Sequence, residues 1–220
     1  MLKLAQHMFT TALILTVFAV AGTGLVAFTV EKTRKPIATA ERMALLRSLH
    51  AVVDEHSYSN ELITDQYQLL DPAHLGSKKP LPVFRARHNG RPIAVVFTAI
   101  APDGYNGDIK LLIGITYDGT ITGVRVIDHR ETPGLGDAIE LRHTNWILGF
   151  NGRSLEDPGA KMWKVKKDGG YFDQFTGATI TPRAVVKEVH KVLEYFKENK
   201  QAIFAHPSYI PKSDQDSDED

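Results

Sequence analysis

From Leu4 to Val30 the chain carries no formal charge apart from possible protonation of His7, and no other feature restricts its fold as much. Met8–Val30 is about 23 residues, roughly 34 Å as a helix, against a hydrocarbon core of ~30 Å. A helix buried in a soluble protein would have polar residues on one face, which disfavours that reading. A cleaved secretory leader competes, with Lys3 as its charged start and Ala19-Val20-Ala21 as an A-x-A-like cleavage site. Yet the apolar run continues to Val30, which a leader does not require. We therefore expect residues 1–7 as a lead and residues 8–30 as a retained transmembrane anchor in the lipid bilayer. Lys32, Arg34 and Lys35 follow the segment while Lys3 and the amino terminus precede it. Taken alone, this charge pattern mildly favours a cytoplasmic C-terminal domain.

The roughly 185 residues beyond Lys35 suffice for one domain with its own core. Lysine plus arginine equals aspartate plus glutamate at 26 each, so no global charge argues for nucleic acid as a partner. Cysteine is absent, which excludes cysteine-ligated iron–sulfur clusters, thiolate zinc sites, c-type haem attachment and disulfides. A redox protein of this sequence must borrow an organic cofactor.

The pattern after the anchor predicts an α+β domain, a mainly antiparallel sheet with packed helices, rather than a doubly wound α/β sheet. Residues 31–82 are expected as a linker, a helix and an irregular segment. Glu31–Lys35 would be the linker, ending at Pro36, and Ala38–Val53 an amphipathic helix with Ala40, Met43, Leu46, Leu49 and Val53 near helical spacing. Tyr58–Pro82 reads as irregular, anchored by Tyr67 and Leu69-Leu70. Residues 83–205 are expected as the main domain. There Val83–His88 and Pro92–Ala99 flank Asn89-Gly90, a strong hairpin signal, and Asp108–Tyr117 and Thr120–Asp128 flank Asp118-Gly119. Strict alternation puts Ile121, Gly123, Arg125 and Ile127 on one side of the last strand, and Thr122, Val124 and Val126 on the other. Gly136–Phe150 is expected to contain a helix, and Lys161–Lys166 a strand with Met162 and Val165 inward. Thr181 suits the N-cap and Pro182 the first position of a final helix whose stripe is Val185, Val186, Val189, Leu193 and Phe196. Residues 206–220 read as an acidic disordered tail.

Two segments stand out. Asp173-Gln174-Phe175-Thr176-Gly177-Ala178-Thr179 fits Asp-x-x-Ser/Thr-Gly-Ala-Thr, and His129-Arg130-Glu131-Thr132-Pro133-Gly134-Leu135-Gly136 contains Glu-Thr-Pro-Gly-Leu-Gly. Alone, the first is a glycine turn before a helix and the second an ordinary proline–glycine turn. Together and in this order they resemble the RnfG family, the G-type component of Rnf-type ion-translocating electron transport complexes. More distantly, they are similar to the C-type component of the sodium-translocating NADH:quinone reductase. Gly104-Tyr105-Asn106-Gly107, Trp163, Asp168-Gly169-Gly170 and Ala184-Val185-Val186 add to the likeness, which runs to about Phe204.

The resemblance implies FMN covalently esterified through its phosphate to Thr179 by a flavin transferase. Thr176, Gly177 and Ala178 would form the attachment turn, and Asp173 would serve the transferase. Thr181 would open a helix whose free N–H groups favour the phosphodiester. Thr132, Leu135, Gly136 and Glu131 would belong to a loop that closes over the flavin. It further implies a single-pass protein of the bacterial inner membrane with its domain on the periplasmic side. Electrons would pass among other membrane subunits, coupled to ion movement.

Other residues carry weaker signals. His129 and Glu131 would make an acid/base pair in a shared cleft, but such neighbours are more often structural. Lys161, Lys164, Lys166 and Lys167 would touch a phosphate or lipid headgroups, or simply solvate a strand. Tyr105 and Trp163 would stack on the ring or pack in the core. The histidines lack metal-ligand spacing. Two other functions compete: a stand-alone flavin reductase and an anchored scaffold without flavin.

Overall fold

The computed structural model describes residues 2–208, so of the acidic disordered tail expected at residues 206–220 all but the first three residues lie outside the described residues. His206 stacks on Tyr67 and the Ser208 hydroxyl donates to Asp65 at 2.9 Å, so the expected disorder does not begin at 206. The chain divides into two compact units, Met1–Leu45 and Leu46–Asp220. From Leu2 onward the first is helical, within α1 (Leu2–His50). This helix holds one stretch long and apolar enough to cross a membrane. The hydroxyls of Thr10, Thr16, Thr29 and Thr33 donate to carbonyls four residues back at 2.8–2.9 Å. Those polar groups therefore need no partner outside the helix. The linker expected at Glu31–Lys35 is not found: α1 runs through it and through Pro36. Proline removes one ladder hydrogen bond, and the good helix formers around it sustain the rest.

The second unit centres on a five-stranded antiparallel sheet in sequence order. Its strands are β1 (Gln66–Leu69), β2 (Leu81–His88), β3 (Arg91–Gly104), β4 (Gly107–Thr116) and β5 (Ile121–Asp128). Asn89 and Gly90 both adopt positive φ, 50° and 78°, as the β2–β3 turn requires. The segment expected to be irregular contains β1 and a short helix α2 (Pro72–Leu75); Tyr67 is buried but Leu70 is exposed. Against one face of the sheet lies α3 (Ile180–Ala205), whose Val185, Val186, Val189, Leu193 and Phe196 are buried with Val95, Phe97, Leu111 and Ile113. The alternate residues Val96 and Leu112 are also buried, on the other face. There Gly114 and Gly123 pair across β4 and β5 and leave room for Val52, just past the end of α1. A Cβ at Gly123 would stand 3.1 Å from the Val52 Cα. The Thr122 hydroxyl donates to the Val52 carbonyl. Burial on both faces explains the near-continuous apolar runs of β3 and β4.

Three further expectations need correction. In β5 a register shift opposite Gly114 and Ile115 makes Thr122 an extra residue. Ile121 thereby joins Val124 in the core instead of facing away from it. Gly136–Phe150 forms two 3₁₀ turns, Gly136–Ile139 and Trp146–Phe150, with the Thr144 hydroxyl bonded back to the Ala138 carbonyl at 2.6 Å. That local bond competes with a helical ladder. Lys161–Lys166 is not a strand. The backbone doubles back, the Lys166 N–H donating to Phe172 O at 2.7 Å, so Val165 is buried while Met162 is exposed.

Candidate functional site

Three segments converge on one cavity of about 300 Å³. The first is the β3–β4 tip. β3 continues five residues beyond the expected Ala99, and Gly104 pairs with Gly107 across Tyr105 and Asn106. The second is the Glu131–Gly136 loop, in which the Thr132 carbonyl accepts the N–H groups of Leu135 at 3.1 Å and Gly136 at 3.0 Å. The third runs from Gly177 to Thr181, the end of the Thr176–Ala178 turn and the start of α3. In that turn the Ala178 N–H donates to Phe175 O at 3.2 Å, and Gly177 has φ 80°, a conformation glycine adopts without strain. Trp146 holds the turn down: its indole donates to Asp173 O at 2.8 Å and its ring packs edge-on against Phe175.

Thr179 occupies the N-cap position of α3, yet its side chain makes no capping hydrogen bond. Its hydroxyl is uncommitted among the described residues. The helix begins two residues earlier than expected, so Thr181 is inside the first turn and is not the N-cap. The buried Thr181 hydroxyl donates instead to Oε2 of Glu131. Oε1 of Glu131 accepts the Asn106 N–H at 3.0 Å, and Asn106 Nδ2 donates to the Thr132 hydroxyl at 3.0 Å. Two glycines make room for this carboxylate. A Cβ at Gly136 would meet Glu131 Oε2 at 2.8 Å, and one at Gly104 would meet Oε1 at 2.9 Å. These contacts bind all three segments together.

Eight of the ten expected site residues line the cavity: Thr179, Gly177, Ala178, Thr181, Thr132, Leu135, Gly136 and Glu131. Thr176 is exposed and outside it. Asp173 also lies outside, its carboxylate 2.6 Å from Lys166 Nζ and largely exposed. Tyr105 and Ile180 complete the lining, both exposed. Tyr105 is therefore not plain core, whereas Trp163 is, stacked between Phe150 and His190. Sequence reasoning assigned Asn106 no role in the site; the signal was the Asn106-Gly107 dipeptide, a turn marker of the same kind as Asn89-Gly90.

His129 and Glu131 do not pair through their side chains. The Glu131 backbone N–H donates to His129 Nδ1 at 3.0 Å, which leaves Nε2 to face Glu140 at 2.6 Å. The Arg183 guanidinium forms a bidentate pair with Asp168, at 2.7 and 2.8 Å. Hydrogen bonding to Arg183 holds the Asp168 carboxyl below its ordinary range.

The G-type component of the ion-translocating oxidoreductase complex of Vibrio atlanticus is 49% identical over 195 residues, spanning 89% of this chain and 93% of its own. The Pseudomonas aeruginosa protein of the same description is 49% identical over 200 residues, spanning 91% of this chain and 94% of its own. The chain belongs to the RnfG family of ion-translocating oxidoreductase complexes. Within this RnfG family member, an FMN-binding domain matches residues 104–194 and an RnfG N-terminal region matches residues 1–52. The FMN-binding match begins at Gly104, so it takes in all three segments that build the cavity.

Proposed function

We propose that this chain is a membrane-anchored flavoprotein subunit of an Rnf-type complex. FMN would be held as a phosphothreonine ester on Thr179, relaying electrons among the other membrane subunits in step with ion movement. The observation that carries this reading is the uncommitted Thr179 hydroxyl, set at the cavity and at the N-terminus of a 26-residue helix. Attachment by a flavin transferase would form a phosphorus–oxygen bond at Thr179 Oγ1 as the phosphoanhydride bond of a flavin dinucleotide donor breaks; the nucleoside monophosphate leaves and the hydroxyl proton passes to solvent. The N–H groups of Ile180 and Thr181 lack intrahelical partners by position, and with the helix dipole they suit a phosphodiester. Tyr105, Leu135 and Ile180 offer apolar surface to a flat ring. Bound flavin supplies one- and two-electron chemistry, and the protein tunes it by charge, hydrogen bonds and burial. The anchor would be α1, in the inner membrane, with the second unit on the periplasmic side.

The test is intact mass of protein expressed with a flavin transferase. We expect an increment of one esterified FMN, mapped to Thr179 and abolished by Thr179→Ala. A colourless wild-type protein of unaltered mass would overturn the reading in favour of an unmodified scaffold.

A further inference from the structure

Glu131 is 5% exposed, lines the cavity, and pairs with no lysine, arginine or histidine side chain among the described residues. Its two oxygens are met only by dipoles, the Asn106 N–H and the Thr181 hydroxyl, near the positive end of α3. Gly104 and Gly136 both lack the Cβ that would displace it. A carboxylate buried without a counter-charge costs stability unless its surroundings hold it, so its presence in this wall calls for a use.

We propose that Glu131 sets the reduction potential of the flavin in this cavity through its fixed negative charge. The inference rests on the flavin standing at Thr179. A flavin held in this cavity would gain electron density on reduction within reach of the Glu131 charge, where the interior screens charge less than water does. The reduced form is thereby disfavoured and the potential lowered. Glu131 acts here as a tuning residue: it takes up no electron and transfers no proton.

The experiment is spectroelectrochemical titration of the flavin-loaded full chain in detergent. Glu131→Gln keeps the shape and removes the charge; it should favour the reduced form by tenfold or more, a rise of about 30 mV for a two-electron couple. Glu131→Asp keeps the charge and disturbs the packing, and should stay near the wild-type potential. Thr181→Val breaks the hydrogen bond without touching the charge and should shift the potential far less than the glutamine does. A merely structural role would move all three alike. Equal potentials in loaded wild type and Glu131→Gln would overturn the proposal and leave the flavin reading standing, whereas an unlabelled wild type would sink that reading itself. If Glu131→Gln takes no flavin, Asn106→Asp adds a charge against Thr132 of the cavity lining, though not in the lining itself, and must lower the potential. No shift there, or a shift in Thr181→Val as large as tenfold, overturns the proposal.

Discussion

Glu188 is 1% exposed on α3, and its Oε1 finds no hydrogen-bond partner among the described residues. Burial pushes its carboxyl up to about 7; Lys191, 3.4 Å from Oε2, and Lys187 oppose the rise, and Asp103 adds to it. The sign follows from proton counts. The folded chain keeps a proton that the unfolded chain releases, so this contribution to stability is whole below the unfolded value of 4.5 and lost as pH rises through about 7. The loss is on the order of 3 kcal/mol. Denaturant unfolding across this range should show wild-type stability falling with pH and Glu188→Gln nearly flat, the variant being more stable on the alkaline side. A parallel fall in both proteins would refute the assignment. Gly136 offers a steric counterpart, because its difficulty is space rather than backbone conformation. Gly136→Ala places a methyl 2.8–3.0 Å from Glu131 and Thr181 and should cost about 1–3 kcal/mol, read as a lowered urea midpoint with unchanged slope.

Asp65 ties the edge of the sheet to the far end of α3. Its carboxylate lies 2.6 Å from Arg85 Nη2 and 2.7 Å from Arg87 Nε, and it accepts the Ser208 hydroxyl at 2.9 Å. The buried Arg85 donates onward to Ile203 O at 3.1 Å, and Arg87 to Phe204 O at 2.8 Å. Burial alone would raise the Asp65 carboxyl, but hydrogen bonds from Arg87 and Ser208, with the charge of Arg85, hold it below its ordinary range. Its contribution is therefore present above 3.8, the unfolded value, and lost as acid carries the pH through the lower folded value. Asp65→Ala should cost about 3–5 kcal/mol, since it leaves Arg85 buried without its carboxylate; thermal melts at neutral and acid pH would find the gap between variant and wild type narrowing in acid. None of this tie was legible in the sequence, because Asp65 and Ser208 meet only after the sheet forms. The hairpin at Asn89-Gly90 and the apolar stripe of α3 were legible, being set by near neighbours along the chain. The four residues of β1 are too few to show a period, and the extra residue at Thr122 breaks the alternation on which the face of Ile121 was judged. In the site, the cavity-lining part of both signatures was readable residue by residue. Thr181 was misjudged because its hydroxyl bonds a carboxylate fifty positions away in sequence, not its own helix.

The two units make separate demands on their surroundings. Leu49, Val52 and Val53 bury within the second unit, so a chain beginning at Leu46 retains its whole core. Such a chain should stay soluble without detergent and keep the unfolding free energy of the full-length second unit to within about 0.5 kcal/mol. An aggregating product would mean that the anchor is also needed to fold the domain. Which side of the membrane receives this unit is a matter of charge against chemistry. Lys32, Arg34 and Lys35 follow the apolar stretch and Lys3 precedes it, a small bias toward the cytoplasm. The proposed ester on Thr179 would weigh the other way, because a permanent bond would retain the carrier where free FMN is scarce. A reporter fused after Asp220 and assayed on both sides of the inner membrane should be active only in the periplasm. The same result is expected for Thr179→Ala, since insertion precedes labelling and does not depend on it. Cytoplasmic activity in both fusions would overturn the outward placement while leaving the mass increment on Thr179 to decide the flavin by itself.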